Sequence, residues 1–99
     1  MKRKFKKTIR SDLPTLVYFY TSWCSPCQMM KPLIQQIEVE LGNDLSIIEI
    51  DVEHEKGIVQ KYKVKSVPTL ILFKNGIALW RHAGALPYLE IKKEISEFV

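Results

Sequence analysis

Apolar residues fall along this chain in two rhythms. Leu16-Val17-Tyr18-Phe19-Tyr20 and Thr69-Leu70-Ile71-Leu72-Phe73 are continuous runs rich in β-branched and aromatic side chains. That is how a strand covered on both faces reads. From Leu45 to Val52 the pattern alternates, with Ile48, Ile50 and Val52 on one face and Ile47, Glu49 and Asp51 on the other, predicting a further strand. Met30, Leu33, Ile34, Ile37 and Leu41 instead recur at helical spacing, and Gly42-Asn43 supplies a stop. Pro32 lies inside that stripe and is expected to kink the helix after its first turn. A short helix over Glu55 to Tyr62 would pack through Ile58, Val59 and Tyr62. Lys74-Asn75-Gly76 carries the Asn-Gly signal of a tight hairpin, so Ile77 to Ala83 should return antiparallel until Gly84 breaks it. A last helix begins at about Pro87, which suits a first helical turn, and buries Ile91, Ile95 and Phe98.

Strands that alternate with helices imply an α/β fold with parallel pairings, to which the hairpin adds one antiparallel strand. Ninety-nine residues, 46% of them hydrophobic, suffice for one modest core, so residues 1–99 are read as a single domain. No run approaches the ~20 apolar residues of a membrane span. The opening Met-Lys-Arg-Lys-Phe-Lys-Lys imitates the start of a signal peptide, but Arg10, Ser11, Asp12 and Pro14 break the apolar stretch that a signal peptide needs next. The chain is therefore read as soluble and unprocessed.

Charge changes this picture only locally. The formal net charge is +4, yet Lys2, Arg3, Lys4, Lys6, Lys7 and Arg10 supply six of the fifteen basic residues. Residues 11–99 hold nine basic and eleven acidic side chains, a net of −2. The domain is thus slightly acidic and carries a basic N-terminal helix or arm over residues 1–12. Such an arm reads first as a solvated helix face or a frayed terminus, and it supports no claim on nucleic acid or membrane.

Cys24 and Cys27 are the only cysteines. Two residues apart, they close too small a loop to stabilise a fold through chain entropy, so reactivity is the better explanation. At the junction of a buried strand and a helix, the first thiol lies at the helix N-terminus. There the unpaired N–H groups and the helix dipole favour a thiolate. The second thiol, one turn on, is within reach of the first. Cys24 is therefore read as the nucleophile toward a disulfide and Cys27 as the resolving thiol. Pro26 is tolerated in the first turn, where the N–H it lacks would be unpaired. A Cys-x-x-Cys pair also serves metal knuckles, but tetrahedral zinc needs two more ligands, and His54 and His82 stand at no knuckle spacing. A cluster bridged between two chains stays open.

Trp23-Cys24-Ser25-Pro26-Cys27, Pro32, Val67-Pro68-Thr69, Phe73-Lys74-Asn75-Gly76 and Gly84-Ala85, with their mutual spacings, resemble the thioredoxin family over roughly residues 13–99. The resemblance implies a thioredoxin-like fold, a mixed sheet with helices on both faces, and dithiol exchange that reduces protein disulfides. It implies a cis peptide bond before Pro68, facing Cys24, which would orient the Val67 backbone toward an extended substrate. Trp23, Ser25, Pro26, Val67, Pro68 and Gly84 would then form a shallow substrate surface. No cofactor is implied beyond the Cys24–Cys27 disulfide. The implied partners are protein disulfides and an NADPH-dependent flavoprotein reductase, and a cytoplasmic monomer is the default expectation. A thioredoxin-fold interaction module with incidental redox activity, or an oxidase or isomerase in an exported compartment, are the competing readings.

Three departures from the family pattern stand out. Ser25-Pro26 replaces Gly-Pro between the cysteines, and the retained proline favours a reductant with a potential below about −200 mV. Tyr18 stands where a buried aspartate is usual, and Glu49 where a lysine often approaches it. Glu49 could supply the missing carboxylate, through water or the Tyr18 hydroxyl, or could simply face solvent. Finally, residues 1–12 leave room for a helix, with Phe5, Ile9 and Leu13 as its apolar face, but not for the usual outer strand. Four strands are expected, with Leu45–Val52 as an exposed parallel edge.

Overall fold

The computed structural model describes residues 2–99. In chain order the elements are α1 (Lys2–Ile9), β1 (Thr15–Tyr20), α2 (Ser25–Leu41), β2 (Ser46–Asp51), α3 (Lys56–Lys61), β3 (Thr69–Lys74), β4 (Ile77–Ala83) and α4 (Tyr88–Ser96). The four strands form one sheet in the order β2-β1-β3-β4. β2 is an unpaired edge beside β1, as expected from a chain with no outer strand among the described residues.

The uninterrupted apolar runs become β1 and β3, the two central strands, whose side chains are buried on both faces. The sheet separates two clusters. On one side α2 and α4 cover Leu16, Tyr18, Leu70 and Leu72 with Met30, Ile34, Ile37, Ile91 and Ile95. On the other, α1 and α3 cover Val17, Phe19, Ile71 and Phe73 with Phe5, Ile9 and Ile58. The basic N-terminal segment is therefore a docked helix and not a frayed terminus. Phe5 is buried between Tyr62 and Phe73, with ring centroids at 5.9 and 6.0 Å.

One expectation fails. Only β1 and β2 pair parallel; β1 and β3 run antiparallel, with Phe19 opposite Thr69 and Thr15 opposite Phe73. Residues 52–68, with the short α3 inside them, do not cross back along the sheet, so β3 starts at the end of the sheet where β2 stops. Smaller differences concern α2 and α4. α2 runs without a break through Pro32, and Pro87 caps α4 rather than lying inside it.

The hairpin is as expected. Asn75 and Gly76 both have positive φ, 54° and 80°, the geometry of a two-residue turn matched to strand twist. Their N–H groups donate to Ser11 and Ile9 carbonyls at 2.9 and 2.7 Å, which ties the turn to the end of α1. No described helix is long and apolar enough to cross a membrane.

Candidate functional site

The dithiol sits where β1 ends and α2 begins, as the strand-to-helix reading requires. Thr21 to Trp23 turn the chain, and the Cys24 N–H donates to the Thr21 carbonyl at 3.4 Å. Cys24 is the N-cap of α2, with extended backbone, and its Sγ accepts the Cys27 N–H at 3.2 Å. The first turn of α2 contains no acidic residue to oppose a negative charge there. Pro26 occupies the second helical position, where its missing donor costs nothing. In this structure the two sulfurs are bonded as a disulfide, with the Cα atoms 5.2 Å apart. Cys24 is 7% exposed and Cys27 only 1%, so both are buried and the first is the less enclosed. That asymmetry suits an attacking and a resolving thiol.

The expected flanking residues gather around this junction. The Val67–Pro68 bond is cis. Gly84, at φ 103°, donates its N–H to the Pro68 carbonyl at 2.8 Å, so the end of β4 is locked to the loop before β3. A positive φ of that size is one that side chains rarely adopt, which is why glycine stands there. Ser25 and Pro26 are exposed, and Val67 is half-buried. Trp23 is 69% exposed, and its indole Nε1 donates to Glu53 Oε1 at 3.2 Å. A cavity of about 240 Å³ lies on this side of the dithiol, lined by Thr21, Trp23, Glu53, Val64, Lys65 and Val67 among others.

Tyr18 and Glu49 are cross-strand neighbours, as β1 and β2 align them, but they do not form the relay considered from the sequence. The Tyr18 hydroxyl donates to the Cys27 carbonyl, inside the first turns of α2, and not to Glu49. Burial first, then the negative charge of Glu49 and the neighbouring Tyr20, push the Tyr18 hydroxyl up to about 12. Near neutral pH it stays protonated and accepts no proton. It is a clamp on the helix that carries Cys27. Glu49 is exposed, the plainer of the two expectations for it. It nevertheless lines a cavity of about 360 Å³ together with Tyr18, Tyr20, Cys27, Gln28 and Lys31.

Sequence reasoning missed Glu53, the partner of Trp23, because the two are 30 residues apart and carry no common motif. It also missed Thr21, buried with its hydroxyl unpartnered beside the dithiol, although its place three residues before Cys24 was a signal. His54 is exposed beside Asp51, and His82 stacks on Trp80; neither joins the cysteines. Among the described residues no group of three or more His, Cys, Asp or Glu side chains could hold a metal ion.

Comparison with known proteins agrees with this geometry. The family model described as Thioredoxin matches residues 1–97. The chain is 40% identical over 86 residues to "Thioredoxin Y, chloroplastic" of Oryza sativa subsp. japonica, covering 87% of this chain and 51% of the relative. It is 33% identical over 85 residues to "Thioredoxin 1" of Chlorobaculum tepidum, covering 86% and 84%. It thus spans about half the length of the plant relatives it matches. Among solved structures, oxidised mitochondrial thioredoxin 3 of Saccharomyces cerevisiae superposes with a TM-score of 0.87 at 26% identity, covering 97% of this chain and 89% of that one. On the family match, the shared fold and the Cys24-Ser25-Pro26-Cys27 site, the chain belongs to the thioredoxin family.

Proposed function

We propose that this protein reduces disulfides in other proteins by two-step thiol–disulfide exchange. The observation that carries the reading is the unequal placement of the two sulfurs on one helix N-terminus. Both cysteines are buried, but Cys24, at 7% exposure, caps the helix, while Cys27, at 1%, lies inside its first turn. In the reduced protein, the Cys24 thiolate attacks one sulfur of the substrate disulfide and expels the other as a thiolate. This leaves a mixed disulfide on Cys24. Cys27 then loses its proton and attacks the Cys24 sulfur, forming the intramolecular disulfide and releasing the second substrate thiolate. Two electrons pass from the dithiol to the substrate. An NADPH-dependent flavoprotein reductase would return them, and a reducing compartment, by default the cytoplasm, suits the cycle. Trp23, Ser25, Pro26, Val67, Pro68 and Gly84 form the surface across which the substrate lies.

Reduction of insulin disulfides tests the proposal. Cys24→Ser and Cys27→Ser should both abolish turnover, and Cys27→Ser alone should accumulate a mixed disulfide. With dithiothreitol as the electron donor, a wild type no faster than Cys24→Ser would sink the proposal and favour an interaction module.

The Cys27 proton leaves through the cavity that Glu49 lines, with Glu49 as its only carboxylate among Tyr18, Tyr20, Lys31 and the polar side chains around it. Glu49→Gln should move the rate–pH profile of mixed-disulfide resolution upward in pH, and a superimposable profile would eliminate this role.

A further inference from the structure

Beside the dithiol the surface opens into a groove of about 400 Å³ lined by Pro26, Met29, Leu33, Ala85, Leu86 and Pro87, none of which lines the cavity at Trp23. None of these side chains is charged or hydrogen-bonding. One wall is the first two turns of α2, which begin at Cys24. The other is the segment after Gly84, whose N–H is bonded to the Pro68 carbonyl. The groove is therefore continuous with the site, since Pro26 lies between the two cysteines and Ala85 is next to Gly84. Met29 projects at its rim and is 74% exposed. The other cavity, by contrast, presents Glu53 and Lys65 beside the Trp23 ring.

We propose that this groove selects protein substrates that carry a bulky aliphatic side chain near the disulfide cysteine, on one side of it only. This rests on the disulfide-reductase reading and specifies its substrate class. A segment lying across Cys24 has its neighbours on one side over an apolar floor and on the other over a charged and aromatic one. A leucine or isoleucine on the first side leaves water for the groove; a lysine or glutamate there would lose solvation without finding a partner. Met29 suits such a rim, because an unbranched thioether adapts to side chains of different shape. Discrimination of this kind by an apolar pocket is worth roughly 10- to 200-fold.

The test uses peptides that each hold one cysteine joined to thionitrobenzoate, with a leucine moved through the positions flanking that cysteine in an otherwise alanine and glycine background. Attack of Cys24 on the peptide sulfur releases the coloured thiolate, and Cys27 then frees the peptide thiol. Every rate is divided by that of the same enzyme on the symmetrical bis-thionitrobenzoate disulfide. With the dithiol reduced beforehand and each reaction followed through a single turnover, leucine on one side of the cysteine should raise the second-order rate constant about tenfold or more, and leucine on the other side should not. Met29→Lys should reduce that ratio to within about twofold of the alanine peptide, Met29→Leu should restore it, and Val39→Lys, exposed near the other end of α2, should leave it alone. Equal rates for leucine peptides on both sides, or a preference that survives Met29→Lys, would overturn the proposal. So would a specific rate that falls as enzyme concentration rises with no leucine preference, since a second copy of this chain would then occupy the groove. An enzyme that fails to reduce even the symmetrical disulfide would instead defeat the reductase reading itself.

Discussion

Tyr18 shows most directly how one residue alters the site. Its ring sits in the core under α2, stacked on Tyr20 at 5.5 Å, and its hydroxyl holds the Cys27 carbonyl. Removing the hydroxyl in Tyr18→Phe keeps the ring and the packing. It should cost about 1 kcal/mol at pH 7, the usual net worth of one hydrogen bond. The same variant carries a pH signature. A phenol near 10 in the unfolded chain and pushed up to about 12 in the fold binds its proton more firmly when folded. Its stabilising contribution is complete below pH 10 and is lost as the pH rises from 10 toward 12. Urea titrations across that window should show a steeper loss of stability for the wild type than for Tyr18→Phe. Parallel curves would show that the hydroxyl is not held in its neutral form by the fold.

At the scale of elements, the chain's local signals were strong wherever they rested on backbone chemistry. The Asn75-Gly76 turn is the clearest instance, because positive φ at two successive residues leaves few alternatives to those two side chains. Gly76→Ala should cost about 1–2 kcal/mol, read from the midpoint of chemical unfolding, since a Cβ in the left-handed region is strained whatever space surrounds it. Gly42 is different. The sequence marked it as a helix stop, yet its backbone is right-handed, at φ −57°. What requires glycine there is the Glu38 carbonyl, 2.7 Å from where a Cβ would stand. That contact belongs to the folded helix end, and no local pattern announces it.

Across the whole molecule, α1 decides whether the sheet has two covered faces. Phe5 and Ile9 are its only buried side chains, and they complete the cluster that α3 alone is too short to cover. Phe5→Ala should destabilise the protein by about 3–5 kcal/mol. For a chain of this size each kcal/mol lowers the melting temperature by roughly 4–8 °C, so thermal unfolding should move by well over 10 °C. A shift of only a degree or two would mean that the basic helix is not part of the cooperative unit.

The sequence by itself determined the identity of the strands and helices, the hairpin, and the placement of Cys24 and Cys27 at a strand-to-helix junction. These come from periodicity, turn chemistry and chain adjacency, which act over a few residues. Resemblance to a family added Pro68 and Gly84 as neighbours of the dithiol. Only the tertiary structure decided that β3 runs against β1, because residues 52–68 are long enough for either direction and packing chooses between them. The apolar face of the N-terminal helix, Phe5 and Ile9, was legible in the sequence, but only the structure showed that it docks against Val17, Ile71 and Phe73. The tertiary structure also gave the Tyr18 hydroxyl to Cys27 and left Glu49 outside. Cross-strand register made those two residues neighbours, but the buried Tyr18 ring carries its hydroxyl to the Cys27 carbonyl and not to the exposed Glu49.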